Sequence, residues 1–195
     1  MLLHWRTVAV AVTLLAVSAC GTKGDWMGAD AEKAYDKELE AKRAAAVLNN
    51  DDYYQVHLDG RVYVLSDAKD FTSLIKIGEV PKTVTKIGGG PNGERLIYDV
   101  TSIESKAMET KTNVKGAAQE MYEGTKDGLA KGFFGVMYKD GSYVVTDEWA
   151  IARQFRSGEL PAGGTPGTAP DGKPVRYLVK SDLKDVQARF EKLLK

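Results

Sequence analysis

Two stretches of this chain repeat one another, and that repetition limits the folds open to it. Residues 53–67 read YYQVHLDGRVYVLSD, and residues 133–147 read FFGVMYKDGSYVVTD. Each opens on an aromatic pair, encloses an Asp-Gly and closes on aspartate. The match continues downstream. Gly78-Glu79-Val80-Pro81 meets Gly158-Glu159-Leu160-Pro161, Pro91-Asn92-Gly93 meets Pro170-Asp171-Gly172, and Tyr98, Val100 and Ser102 meet Tyr177, Val179 and Ser181. An ordered series with one residue of slippage reads as an internal duplication, each copy being one supersecondary unit.

Within a copy the local chemistry is specific. Tyr53–Leu58 and Arg61–Leu65 are rich in aromatic and β-branched residues and flank Asp59-Gly60, a hairpin turn that needs positive φ. Asp140-Gly141 does the same in the second copy, one residue later within its unit, which predicts a register shift or a bulge. Asp67 and Asp147 sit where N-caps of short helices belong. Phe71, Leu74 and Ile75 form an apolar stripe in the first of these helices, and Trp149, Ile151 and Phe155 form a less regular one in the second. Gly78 and Gly158 suit the helix ends, and Pro81 and Pro161 stop the helices resuming.

A second strand pair follows, Thr83–Ile87 and Arg95–Val100 around GGGPNG. The later copy has Val175–Val179 as its second strand, and its glycine- and proline-rich stretch 162–173 leaves the first strand in doubt. Ser181 is the candidate cap of a closing helix on which Leu183, Val186, Phe190 and Leu194 share a face. Residues 103–111 are its weaker counterpart. Helices at 30–48 and 117–129 precede the two copies. The expected fold is therefore α+β, a tandem duplication of a small module in the order helix, hairpin, short helix, hairpin, helix. The modules are placed at residues 30–115 and 116–195 and packed together around a pseudo-twofold axis, because each alone has a limited core.

The N-terminus carries a second message. Arg6 precedes the uncharged run Thr7–Val17, which is too short to span a bilayer, since that needs roughly 20 apolar residues. It has the size of the apolar core of a secretory signal. The run ends in Val17-Ser18-Ala19-Cys20, and this order resembles the lipobox of bacterial lipoproteins. The resemblance implies a cleaved signal at 1–19, palmitate-type acylation of Cys20 and a short tether at 20–29. The bilayer would then be a partner through Cys20. Gly21 in place of an aspartate implies the outer membrane, with the domain facing the periplasm. A single cysteine, unable to pair within the chain, fits a lipid attachment point.

The search for chemistry yields little. Removing residues 1–19 from 195 leaves 176, and removing Arg6 from 27 Lys and Arg leaves 26 against 27 Asp and Glu. No basic stripe offers phosphate neutralisation, so nucleic acid is not an expected partner. His57 would be the one histidine left, so no His/Cys cluster suggests a metal, and no cofactor is expected. The glycine run at 88–93 lacks the lysine and hydroxyl of a phosphate-binding loop. Glu79 and Glu159 recur between a helix-ending glycine and a proline, where a cap does not explain them, and they are candidate contacts to a ligand or partner. Adjacent strand residues point to opposite faces, so one member of each aromatic pair is expected to enter the core and the other to face solvent, a helix or the sister module, making a contact surface only where it stays uncovered. Tyr54 and Phe133 are the candidates. These features favour a non-enzymatic binding or scaffolding lipoprotein that engages an envelope protein or glycan. The alternatives are a carboxylate-dependent cell-wall glycan hydrolase, or an inhibitor or immunity protein against an envelope enzyme.

Overall fold

The structure, a computed structural model, describes residues 52–129 and 131–195. Cys20, the signal, the tether and the helix expected at 30–48 lie outside the described residues. The rest is a mixed α+β fold. Eight strands form a single sheet: β1 (Tyr53–Leu58), β2 (Arg61–Leu65), β3 (Thr83–Lys86), β4 (Arg95–Asp99), β5 (Gly135–Lys139), β6 (Ser142–Thr146), β7 (Thr165–Thr168) and β8 (Pro174–Leu178). The helices are α1 (Ala68–Ile77), α2 (Ser102–Thr110), α3 (Ala117–Glu123), α4 (Trp149–Ala152) and α5 (Leu183–Leu194), with a 3-10 turn at Arg153–Ser157 continuing α4.

The strand order is β3-β4-β2-β1-β5-β6-β8-β7. The second half of this order is the first half run backwards, with β1 and β5 parallel at the centre. A rotation relating halves arranged this way has its axis in the sheet, along the strands, and so exchanges the two faces. The helices that follow the two hairpins, α1 and α4, obey it. On one face α1 and α5 cover Tyr54, Val56, Tyr63, Leu65, Phe134, Val136, Tyr143 and Val145, sealed by Phe71, Leu74, Val186 and Phe190. On the other, α3, α4 and the 3-10 turn cover Tyr53, Val62, Val64, Leu96, Tyr98, Phe133, Met137 and Val144 with Met121, Ala152 and Phe155.

Both hairpins close on two-residue turns of positive φ: 52° and 69° at Asp59 and Gly60, 51° and 74° at Asp140 and Gly141. The bulge expected in the second hairpin does not form. The pairs Leu58–Arg61 and Lys139–Ser142 flank the turns in the same way. The displaced turn instead shifts the whole second hairpin by one residue against its sequence match. A one-residue shift sends every side chain to the opposite face, which is what face exchange between the halves requires.

Several local expectations are corrected. Asp67 caps α1 through Lys69 N at 2.6 Å, but Asp147 does not cap α4. Its carboxylate accepts from Lys180 N and Ser181 N instead. The cap of α5 is Asp182, not Ser181. The helix expected at 117–129 stops at Glu123, because Gly124 turns left-handed at φ 80°. It packs against β2 and β4 of the first half. The doubtful strand exists as β7, with Pro166 on the edge of the sheet, where a missing N–H is tolerated. The assignment to a membrane and to the outer membrane is also corrected: among the described residues no helix is long and apolar enough to cross a membrane.

Candidate functional site

β6 and β8 run parallel and end at Thr146 and Leu178, just before α4 and α5 begin. Ligand clefts in open sheets form outside such carboxyl ends. Here a cleft of about 850 Å³ opens between the two helix starts, within the size range of ligand sites. Leu129, Phe133 and Trp149 make its apolar wall, and Asp127, Glu148, Lys180, Asp185 and Arg189 stand around it.

Each wall element is held for a local reason. Trp149 begins α4, donates its indole N–H to Asp127 at 2.8 Å and meets the edges of Phe133 and Tyr53 at 5.6 and 5.7 Å between centroids. Its ring is thereby fixed with its polar atom satisfied. Asp147 bridges the two strand ends, accepting from Lys180 N at 2.9 Å and Ser181 N at 2.8 Å. Burial pushes this carboxyl up, but the hydrogen bonds from Ser181 and Lys180 outweigh it and hold the group below its ordinary value. Glu148 pairs with the Lys180 ammonium. Arg189 donates to Gly132 O at 2.8 Å and to Asp52 at 2.7 Å, and lies 4.4 Å from the Phe134 ring centre. Asp185, exposed in the first turn of α5, has no polar side-chain partner among the described residues. Three of the four acidic residues of the cleft are thus engaged in structural bonds.

The first half has a smaller counterpart, a cavity of about 290 Å³ lined by Asp67, Asp70, Pro81, Lys82 and Thr101. The carboxylate bridge there comes from the other strand. Asp99, at the end of β4, accepts from Ser66 N at 2.8 Å and Asp67 N at 3.0 Å. It is only 2% exposed, and burial, partly offset by those two N–H groups, pushes its carboxyl up to about 7.

The sequence-derived candidates fall in separate places. Glu79 and Glu159 are both exposed. The neighbouring Val80 and Leu160 pack onto opposite faces of the sheet, so the pair is not brought together. Tyr54 and Phe133 are buried, as are Tyr53 and Phe134, because helices cover both faces and leave no outward side. Phe133 still borders the cleft, and Tyr54 borders a groove on the opposite side of Arg189. His57 belongs to a chain of polar groups on β1. Tyr53 Oη donates to Gln55 Oε1, and Gln55 Nε2 donates to Phe155 O and lies 2.8 Å from His57 Nε2. An amide nitrogen only donates, so that ring nitrogen accepts and the imidazole is neutral. Burial and then Lys139 push its pKa down. Trp149 was legible only as a bulky residue of its helix, and Arg189 and Asp185 as ordinary polar positions, because no local pattern marks a cleft wall.

No family model, curated protein or solved structure matches the chain.

Proposed function

We propose that the chain is an exported, lipid-tethered binding or scaffolding module, built by tandem duplication of one α+β unit, and that it acts by holding a partner in the cleft between α4 and α5. The observation that carries this reading is the cleft itself: an aromatic wall at the ends of parallel strands, with most of its carboxylates committed to structural bonds. An aromatic wall beside polar rims suits an extended protein segment or a glycan chain, since aromatic rings bury much area at low entropic cost. The tether would be the acyl group on Cys20, which needs no spanning helix.

The binding reading is tested by affinity capture from crosslinked envelopes. Leu129→Asp combined with Asp185→Ala changes exposed cleft residues without touching the core. A partner captured by the parent is expected to be lost from this variant and retained by the Glu79→Ala/Glu159→Ala variant. Retention by the cleft variant would remove the cleft as the binding surface, and loss confined to the glutamate variant would move the function to those residues. The tether is tested separately by radiolabelled fatty acid incorporation. Label should enter the parent chain and be absent from Cys20→Ser, and label in the serine variant would sink the assignment.

A further inference from the structure

One side chain, Gln55 of β1, ties the far end of the α4 segment to His57. Gln55 is fully buried and uses both ends of its amide. Its Oε1 accepts from Tyr53 Oη at 2.9 Å, while its Nε2 donates to Phe155 O at 2.6 Å and to His57 Nε2 at 2.8 Å. Phe155 lies in the 3-10 turn Arg153–Ser157 that continues α4, and its carbonyl also accepts from Gly158 N at 2.9 Å. The imidazole edge closes on the same place, since a Cβ on Gly158 would meet His57 Cε1 at 3.4 Å and Pro91 Cγ at 2.7 Å. The 3-10 turn is thus joined to β1 through an amide that needs an acceptor on the ring.

A protonated ring has no acceptor, because both nitrogens of an imidazolium donate. Its Nε2–H would face the Gln55 N–H across the present 2.8 Å. Rotating the amide gives the ring an oxygen, and Tyr53 Oη can accept the displaced N–H in place of donating. The rotation also sets Oε1 against Phe155 O, which has no proton to offer. The amide can therefore serve the ring or the 3-10 turn, not both. A hydrogen bond from a cation is roughly twice as strong as a neutral one, so the charged ring takes the amide. The charged groups facing the ring are Lys139 on β5, Asp140 in the hairpin turn after it and Glu94 in the loop before β4. Lys139 is anchored on Gly158 O at 2.7 Å, and Glu94 accepts from Asn92 N at 2.8 Å. Burial first and then Lys139 oppose the proton, Glu94 and Asp140 favour it, and the balance lies below the ordinary 6.5.

We propose that His57 is a proton-operated latch: protonation rotates the Gln55 amide onto the ring and releases the 3-10 turn after α4 from β1. The closed arrangement is complete above 6.5 and is lost as pH falls through the lower folded value. The latch rests on these hydrogen bonds and does not depend on the partner-binding reading.

The test is an NMR titration from neutral to acid pH of the full chain carrying Cys20→Ser, so that acylation does not interfere. The Gln55 side-chain N–H₂ and Gly158 backbone N–H resonances should move with the midpoint of the His57 Cε1–H signal, below 6.5. His57→Gln in the same chain keeps an oxygen acceptor for Gln55 and cannot be protonated, so these signals should stay fixed in it. At acid pH the Gly158 amide of the parent should lose about tenfold in hydrogen-exchange protection relative to that variant, as expected when a buried bonding partner is lost. Gln55 and Gly158 signals that ignore the His57 titration overturn the proposal. So does a His57 midpoint at or above 6.5, or the same shifts in His57→Gln, which would assign them to Glu94 or Asp140. If the glutamine chain fails to fold, the shared midpoint in the parent decides alone.

Discussion

Folded-state stability should fall as pH rises from about 4 to 7, and Asp99→Asn should abolish most of that fall. The cause is the position of Asp99, buried where β4 ends and bonded to Ser66 N and Asp67 N. Burial raises its carboxyl from 3.8 to about 7. Between those values the unfolded chain releases a proton that the folded chain keeps. The stabilising contribution is therefore complete below 3.8 and lost as pH climbs through 7. Each tenfold change in proton affinity is worth about 1.4 kcal/mol, so the loss approaches roughly 4 kcal/mol.

Asparagine can present its carbonyl oxygen to the same two N–H groups and its amide nitrogen to Ser66 Oγ, which lies 3.2 Å from the second carboxylate oxygen. The variant should match the parent near pH 4 and exceed it at pH 8. Other groups also titrate across this range, including Asp52, Asp70 and His57. The informative quantity is therefore the difference between the two urea-unfolding profiles, in which shared contributions cancel. Profiles that stay parallel from pH 4 to 8 would show that Asp99 is ionised throughout.

Tyr54→Ala and Phe133→Ala should each cost about 3–5 kcal/mol, the range for truncating a buried aromatic ring. Tyr54 stacks on Phe71 at 4.9 Å on one face, and Phe133 meets Trp149 at 5.6 Å on the other. At roughly 2–4 °C per kcal/mol for a domain of this size, each melting temperature should drop by about 6 to 20 °C. Tyr54→Phe removes only a hydroxyl bonded to Asp52 at 3.2 Å, so its loss should be near 1 kcal/mol, on the order expected for one hydrogen bond. Thermal denaturation distinguishes these outcomes. If Tyr54→Ala melts with the parent, the ring is no core element and its candidacy as an exposed contact returns.

That pair also shows where local patterns stop being informative. The aromatic doublets identify strands, and alternation puts their members on opposite sides. Alternation does not say whether either side meets water. A hint is present in the sequence: Val62–Leu65 and Tyr53-Tyr54 are nearly continuous apolar runs, the mark of a sheet covered twice. Without that hint, the second side stays open to solvent, a helix or the sister module. Asp147 departs from expectation for a related reason. Its local setting matches that of Asp67, but the strand beside it places Lys180 N and Ser181 N within reach, and those donors lie more than thirty residues away.

Sequence alone determined the local elements of this chain. Asp59-Gly60 and Asp140-Gly141 must turn with positive φ, Gly78 must end α1 left-handed, and Val186 and Phe190 must share one face of α5, because these preferences act over a few bonds. Only the tertiary structure decided that β1 lies parallel to β5, joining both halves in one sheet and putting α1 and α4, the helices that follow the two hairpins, on opposite faces. The same step created the cleft at Trp149 and the groove that Tyr54 borders. Each is a meeting of side chains brought together by strand pairing, and the free energy of such contacts depends on distances in space that no spacing along the chain encodes.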